Sequence, residues 1–236
     1  LPYYVFDPAI WKEDSIYYAV TGGRTNTGPG NKAMRSTSLF SSQDLKIWKY
    51  EHNFMKNECF LPPGEDASCP YFWPIGNRYI FLFFSHTTGS QYLLGDYNKE
   101  EHCFYPTFHG RFNFMSFLPG GVHAPSATSD GEGGVIVIHN MHTGKKSPGW
   151  RGITTLPRKL TLDKCDTINI QPYGDYKSLR THHQHIDKTH LPANKEIIID
   201  NIQGNALEIK AEINIKSSPM IEMNVLRSPD KEEFTS

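Results

Sequence analysis

The chain has 236 residues, enough for one large all-β domain or for one domain and part of a second. Its formal net charge of −1 argues against a nucleic-acid or acidic-membrane surface, and no apolar run approaches the ~20 residues that span a bilayer. Apolar residues make up 38% and aromatic residues 13%, which suffices for a core and is rich in flat rings. Such rings favour strands, and they also line sugar sites, where the C–H face of a pyranose or furanose packs on them.

In chain order, Asp7-Pro8-Ala9-Ile10-Trp11 leads into two short strands over residues 9–20 around a Lys12-Glu13-Asp14-Ser15 turn. A Gly/Pro/Asn cluster over 25–31 follows, and Ser41-Ser42-Gln43-Asp44-Leu45-Lys46-Ile47-Trp48 reads as a tight turn capped by its acidic side chain. Pro62-Pro63-Gly64-Glu65 is an irregular approach to Asp66-Ala67-Ser68-Cys69-Pro70-Tyr71-Phe72-Trp73-Pro74-Ile75-Gly76, a strand ending in a Gly76-Asn77 turn. Strands are then predicted over 78–85, 91–97 and 133–141, separated by turn-forming clusters such as 118–121. No stretch of helical length carries helical periodicity. The class is all-β, and many short strands at this spacing predict a propeller or a sandwich.

After about residue 179 the character changes. His182, His183, His185 and His190 lie in a polar stretch, followed by alternating runs over 196–199, 206–215 and 220–226 that read as half-buried strands. A domain boundary is expected near 180–190. Adjacent His182 and His183 would face opposite sides of a strand, with no cysteine or paired carboxylate to complete a metal site, so a solvated linker is expected there. The four cysteines, Cys59, Cys69, Cys103 and Cys165, have no CxxC spacing; zinc is not expected, and Cys69 reads as a buried free thiol.

Several phrases, in order, resemble glycoside hydrolase family 32, the β-fructofuranosidases. Phe6-Asp7-Pro8 is similar to the family's Arg-Asp-Pro, with Phe for Arg. Ser68-Cys69-Pro70 stands where the family has Glu-Cys-Pro, with Ser for the acid/base glutamate. Tyr92-Leu93-Leu94-Gly95-Asp96-Tyr97, His123-Ala124-Pro125-Ser126, Gly149-Trp150-Arg151-Gly152 with Leu156-Pro157-Arg158-Lys159-Leu160, Gln171-Pro172 and Leu179-Arg180 follow the family's later phrases. The resemblance implies part of a five-bladed β-propeller over 1–182, its first blade absent from this chain, and a linker with the start of a C-terminal β-sandwich over 183–236. Residues 207–213 and Arg227-Ser228-Pro229-Asp230 are similar to that sandwich's opening.

The resemblance further implies retaining hydrolysis of a β-fructofuranosidic bond in sucrose or inulin- or levan-type fructans. One carboxylate attacks the anomeric carbon, and a second, ~5–5.5 Å away, protonates the leaving oxygen. The nucleophile's Asn-Asp-Pro-Asn motif is expected upstream of Leu1. Asp7 fits the third carboxylate, which grips sugar hydroxyls and stabilises the transition state. A serine hydroxyl cannot act as a general acid near neutral pH, so Asp66 is the first candidate acid/base and Glu65 the second. On a strand Asp66 shares the face of Ser68, ~6–7 Å away along the chain, which spoils the geometry unless the chain bulges. Phe6, Ser68, His86, His123 and Trp150 are candidate substrate contacts. His86 alternatively reaches the acid, and Trp150 alternatively packs between blades. Arg24 and Arg111 lie in loop-like segments and read as solvent-exposed arginines, with substrate contact as the alternative. No cofactor and no metal is implied, and the partner is a fructose-containing carbohydrate. No basic-then-apolar leader is visible at Leu1, although the resemblance favours a secreted or extracytoplasmic protein. Two alternatives stay open: a carbohydrate-binding propeller that lost its acid, and a related furanosidase acting on arabinose-containing glycans.

Overall fold

The computed structural model describes residues 5–25, 28–113, 121–142, 148–149, 152–204, 206–230 and 232. Three antiparallel sheets follow one another along the chain. The first has the order β1 (Pro8–Glu13), β2 (Ile16–Thr21), β5 (Ser38–Ser42), β6 (Lys49–Asn53), with β3 (Arg24–Thr25) and β4 (Met34–Arg35) pairing as a separate ribbon between β2 and β5. The second runs in plain meander through β7 (Ser68–Ile75), β8 (Arg78–Ser85), β9 (Gly89–Asn98) and β10 (Cys103–Arg111). The third contains β11 (Gly121–Ser129), β12 (Val135–His142), β14 (Arg158–Leu162) and β15 (Ile168–Pro172), with β13 (Ile153–Thr154) on the far half of β12.

Each sheet starts at one edge and steps outward, and the three starting strands meet: β7 packs against both β1 and β11. This is the blade arrangement of a propeller, in which first strands gather round an axis. The sheets do not close into a ring among the described residues.

The sequence of β8 shows why the blades stack. Phe81 and Phe83 join Val20, Leu39, Phe54, Phe72 and Phe104 in a core between the first and second sheets. Ile80 and Leu82, alternating with them, join Ile75, Leu94, Val135, Val137 and Leu160 in a core between the second and third. A strand buried on both faces needs an unbroken apolar run, and Arg-Tyr-Ile-Phe-Leu-Phe-Phe-Ser supplies one. The turn after β5 is held as its residues suggest. Asp44 accepts from the backbone N–H of Lys46 at 2.8 Å and of Ile47 at 2.9 Å, and Ser42 Oγ accepts from Leu45 N at 2.9 Å.

Residues 175–236 form a second compact unit. The strands predicted over 196–199, 206–215 and 220–226 are not formed among its described residues. Alternation fixes a strand only where a neighbour completes its hydrogen bonds and a facing layer covers its apolar side. Here Ile209, Ile213 and Ile215 stay exposed. Arg180 holds the unit's beginning to its middle by a two-pronged ion pair with Glu208, Nε–Oε2 and Nη2–Oε1 both 2.5 Å. His182, His183, His185 and His190 are exposed, and no described group of His, Cys, Asp or Glu is placed to hold a metal ion. No helix among the described residues is long and apolar enough to cross a membrane.

Candidate active site

The candidate residues gather where the first strands of the sheets begin. Asp7 directly precedes β1, Asp66 precedes β7 and His123 lies near the start of β11. The segment between β6 and β7 is pinned from the β3–β4 ribbon. Arg35 donates from its backbone N–H to Pro63 O at 2.6 Å and from Nη1 to Pro62 O at 3.0 Å, and its guanidinium also pairs with Glu58. Gly22 then lets the two chains close up: a Cβ there would lie 2.0 Å from the carbonyl oxygen of Ala67 and 2.6 Å from that of Asp66.

Asp66 is not on the strand. β7 begins at Ser68, and Ala67 (φ +47°) and Cys69 (φ +49°) adopt left-handed backbone on either side of it. The β7–β8 register also shifts between Ser68 and Tyr71. The same-face relation of Asp66 and Ser68 therefore does not hold, because a left-handed residue breaks the alternation on which it depends. The irregular approach through Pro62-Pro63-Gly64 is present, with Glu65 N–H donating to Pro62 O at 3.0 Å.

Asp66 is buried, its side chain only 4% exposed, and lies against His86 and Arg24. Its Oδ2 lies 2.5 Å from His86 Nδ1 and 3.6 Å from Arg24 Nη2, and the His86 backbone N–H reaches Oδ1 at 3.4 Å. Burial opposes the charge, but bonding to His86 and to the Glu65 side chain, with the charges of His86 and Arg24, holds the carboxyl below its ordinary range. Glu65 is also buried, and its side chain bonds to the Asp66 carboxyl. Its Oε1 accepts from Asp66 N–H at 2.9 Å and its Oε2 from Thr88 Oγ1 at 3.2 Å. That chain continues through Gln91 Nε2, 2.6 Å from Thr88 Oγ1, to His109 Nε2, 2.7 Å from Gln91 Oε1.

Asp7 is exposed and accepts a hydrogen bond from Cys69 Sγ at 3.2 Å. Burial, that bond and the charges of Asp7 and Asp66 push the Cys69 thiol up to about 12, so it stays a donor at neutral pH. Cys69 is a free, half-buried thiol between the two carboxylates. Phe6 is exposed, its backbone N–H bonded to Gly22 O at 3.1 Å. Ser68 is buried and its Oγ has no hydrogen-bond partner among the described residues; Arg24 Nε and Thr21 Oγ1, on the neighbouring sheet, share that condition.

His86 and His123 both pack edge-on against Phe84, with ring centroids 5.0 Å and 5.3 Å away, and His123 stacks on His142 at 4.3 Å. Burial and the neighbouring His142 push the His123 imidazole down, toward its neutral form. Trp150 lies outside the described residues. Thus Asp66, His86 and His123 fall in one contiguous group, and Asp7 joins it through Cys69. Glu65 is bonded to Asp66 and links the group to Thr88. Arg24 was the residue missed by sequence reasoning. Only the β3–β4 ribbon, which carries Arg24 back toward Asp66, distinguishes it from an ordinary loop arginine. Arg111 is half-buried at the end of β10.

Comparison with known proteins places this geometry in a family. Residues 4–172 match the glycosyl hydrolases family 32 N-terminal domain. A sucrose-6-phosphate hydrolase from Vibrio alginolyticus is 26% identical over 248 aligned positions, covering 97% of this chain and 48% of that protein. One from Zymomonas mobilis is 27% identical over 194 positions, covering 74% of this chain and 36% of its own length. The chain thus spans about half the length, or less, of the curated relatives it matches. Among solved structures, the Bombyx mori GH32 beta-fructofuranosidase superimposes with a TM-score of 0.59 at 22% identity, over 76% of this chain and 39% of that one. The sucrose-6-phosphate hydrolase of Lactobacillus gasseri gives a TM-score of 0.59 at 19% identity, over 74% and 38%. These structural likenesses carry the fold, and the family match covers most of the chain. The chain belongs to glycoside hydrolase family 32.

Proposed function

We propose that the protein is a β-fructofuranosidase-type glycosidase, acting on sucrose or on inulin- or levan-type fructans by a retaining mechanism. The observation that carries this reading is the meeting of Asp7, Cys69 and Asp66 at the mouth of β1 and β7, where the first strands of successive blades converge. Asp7 is the carboxylate that grips sugar hydroxyls and strengthens its hold as positive charge develops on the ring. The Cys69 thiol donates to it and fixes its orientation. The nucleophilic carboxylate comes from the part of the protein outside this chain, and the proton donor belongs to the Asp66 cluster. Phe6, Ser68, His123 and Trp150 contact the sugar. The names of the relatives, sucrose-6-phosphate hydrolases and a beta-fructofuranosidase, support a fructose-containing substrate.

A second reading, a carbohydrate-binding propeller without catalysis, is favoured by one observation: Ser68 occupies the position of the family's acid. Fructose release from sucrose, inulin and levan by the intact protein separates the two. The hydrolase reading expects release, and expects Asp7→Asn to lower kcat/KM by roughly 10²–10³-fold, the scale of losing one transition-state contact. Retention on immobilised inulin with no fructose from any substrate would instead establish the binding module.

A further inference from the structure

Position 68 carries no acid, yet the rim around it holds a carboxylate and an imidazole in direct contact. The β7–β8 register sets Ser68 opposite Phe84, so His86 stands two residues beyond that partner, at the mouth where residue 68 begins its strand. The two members of the pair differ in access: the Asp66 side chain is 4% exposed and the His86 side chain 53%. Both Asp66 oxygens are engaged from the protein side, Oδ2 by His86 Nδ1 at 2.5 Å and Arg24 at 3.6 Å, and Oδ1 by the His86 backbone N–H at 3.4 Å. Resting on the glycosidase reading, we propose that His86, oriented by Asp66, is the proton donor to the leaving glycosidic oxygen.

The other groups nearby are poorly suited to this task. The Ser68 hydroxyl does not ionise in the working range. The Glu65 side chain is only 2% exposed and is engaged by the Asp66 carboxyl, Asp66 N–H and Thr88, so it is closed off from a substrate oxygen. Asp66 is held ionised by its neighbours, so near neutral pH it has no proton to give. A protonated imidazole has two N–H groups. Asp66 accepts the one on Nδ1, which fixes the ring and leaves the Nε2 proton as the one to be delivered. The other charged or titratable groups around the Asp66–His86 pair among the described residues are Glu65, Arg24 and His123.

The step balances as follows. The Nε2 proton passes to the glycosidic oxygen as its bond to the anomeric carbon breaks, and the bonding electrons leave with that oxygen. A carboxylate supplied by the remainder of the protein forms the new bond to the anomeric carbon. The neutral imidazole then takes a proton from the water that displaces this carboxylate, which regenerates both groups.

The test compares two substrates in the intact protein. Sucrose needs its leaving oxygen protonated, whereas p-nitrophenyl β-fructofuranoside has a leaving group that departs without a proton. His86→Gln is expected to lower kcat/KM for sucrose by roughly 10²–10⁴-fold, the usual worth of general acid catalysis, while hydrolysis of the aryl fructoside falls by less than about tenfold. Retained aryl activity also shows that the variant is folded. Asp66→Asn, which removes the carboxylate that orients the ring, is expected to lower kcat/KM for sucrose with a smaller split between the two substrates than His86→Gln shows. Sucrose activity unchanged in His86→Gln would overturn the assignment of His86 alone. A leaving-group split appearing in Asp66→Asn but not in His86→Gln would make Asp66 the acid. A wild-type protein inactive on both substrates would overturn the glycosidase reading and this proposal together.

Discussion

At the scale of single residues, His139 in β12 responds most directly to pH. It is 1% exposed, packs against Phe112 with ring centroids 4.7 Å apart, and neither ring nitrogen has a hydrogen-bond partner among the described residues. Burial, with the charges of Arg158 and His123, pushes its imidazole from 6.5 down to about 4. The unfolded chain therefore binds this proton more readily than the folded one. Its contribution to stability is complete above about pH 6.5 and is lost as pH falls toward 4, by up to about 3 kcal/mol. Urea unfolding at pH 7 and pH 4.5 measures the difference, and His139→Leu is expected to flatten it. Little of this site-scale detail was legible in the sequence. Asp7, Asp66 and His86 were identifiable as residue types near family phrases. Contact of His86 with the acid was one of the sequence readings, but the convergence of Arg24 on the same Asp66 oxygen was not, because it depends on three segments brought together by strand pairing and on the left-handed backbone at Ala67.

At the scale of elements, strands buried on both faces were the most legible. The apolar run of β8 and the β1–β2 hairpin, turning at Asp14 with φ +52°, match their sequence patterns closely. The start of β7 was less legible, since nothing in Asp66-Ala67-Ser68 announces a register break. Phe54 shows the same limit. It follows β6, outside any strand, yet is fully buried among Trp11, Phe72 and Phe104, at centroid distances of 5.9, 4.9 and 6.0 Å. It plugs the space between the first two sheets, and its backbone N–H is bonded to Thr37 O at 2.6 Å. Truncation there leaves a cavity in a wall shared by both blades. Phe54→Ala is expected to cost about 3–5 kcal/mol, and Phe54→Leu clearly less, by thermal or denaturant unfolding.

At the scale of the whole molecule, order is uneven. The first 174 residues hold every sheet, whereas residues 175–236 have their apolar side chains largely exposed and only scattered backbone hydrogen bonds among the described residues. Hydrogen exchange followed by mass spectrometry is expected to show slow exchange in β8 and β9 and exchange within minutes or less across 175–236. Protection over 206–215 comparable with that of β8 would refute this division. The alternation that suggested strands in that region is a property of one segment. A sheet requires a second, and a single sequence does not reveal whether the partner is at hand.

Ser68 has a consequence for engineering. It is 2% exposed and lies between the left-handed residues Ala67 and Cys69, two positions from the buried Asp66. A glutamate placed there adds a second buried carboxylate close to Asp66 in the chain, at the cost that burying an unpaired charge carries.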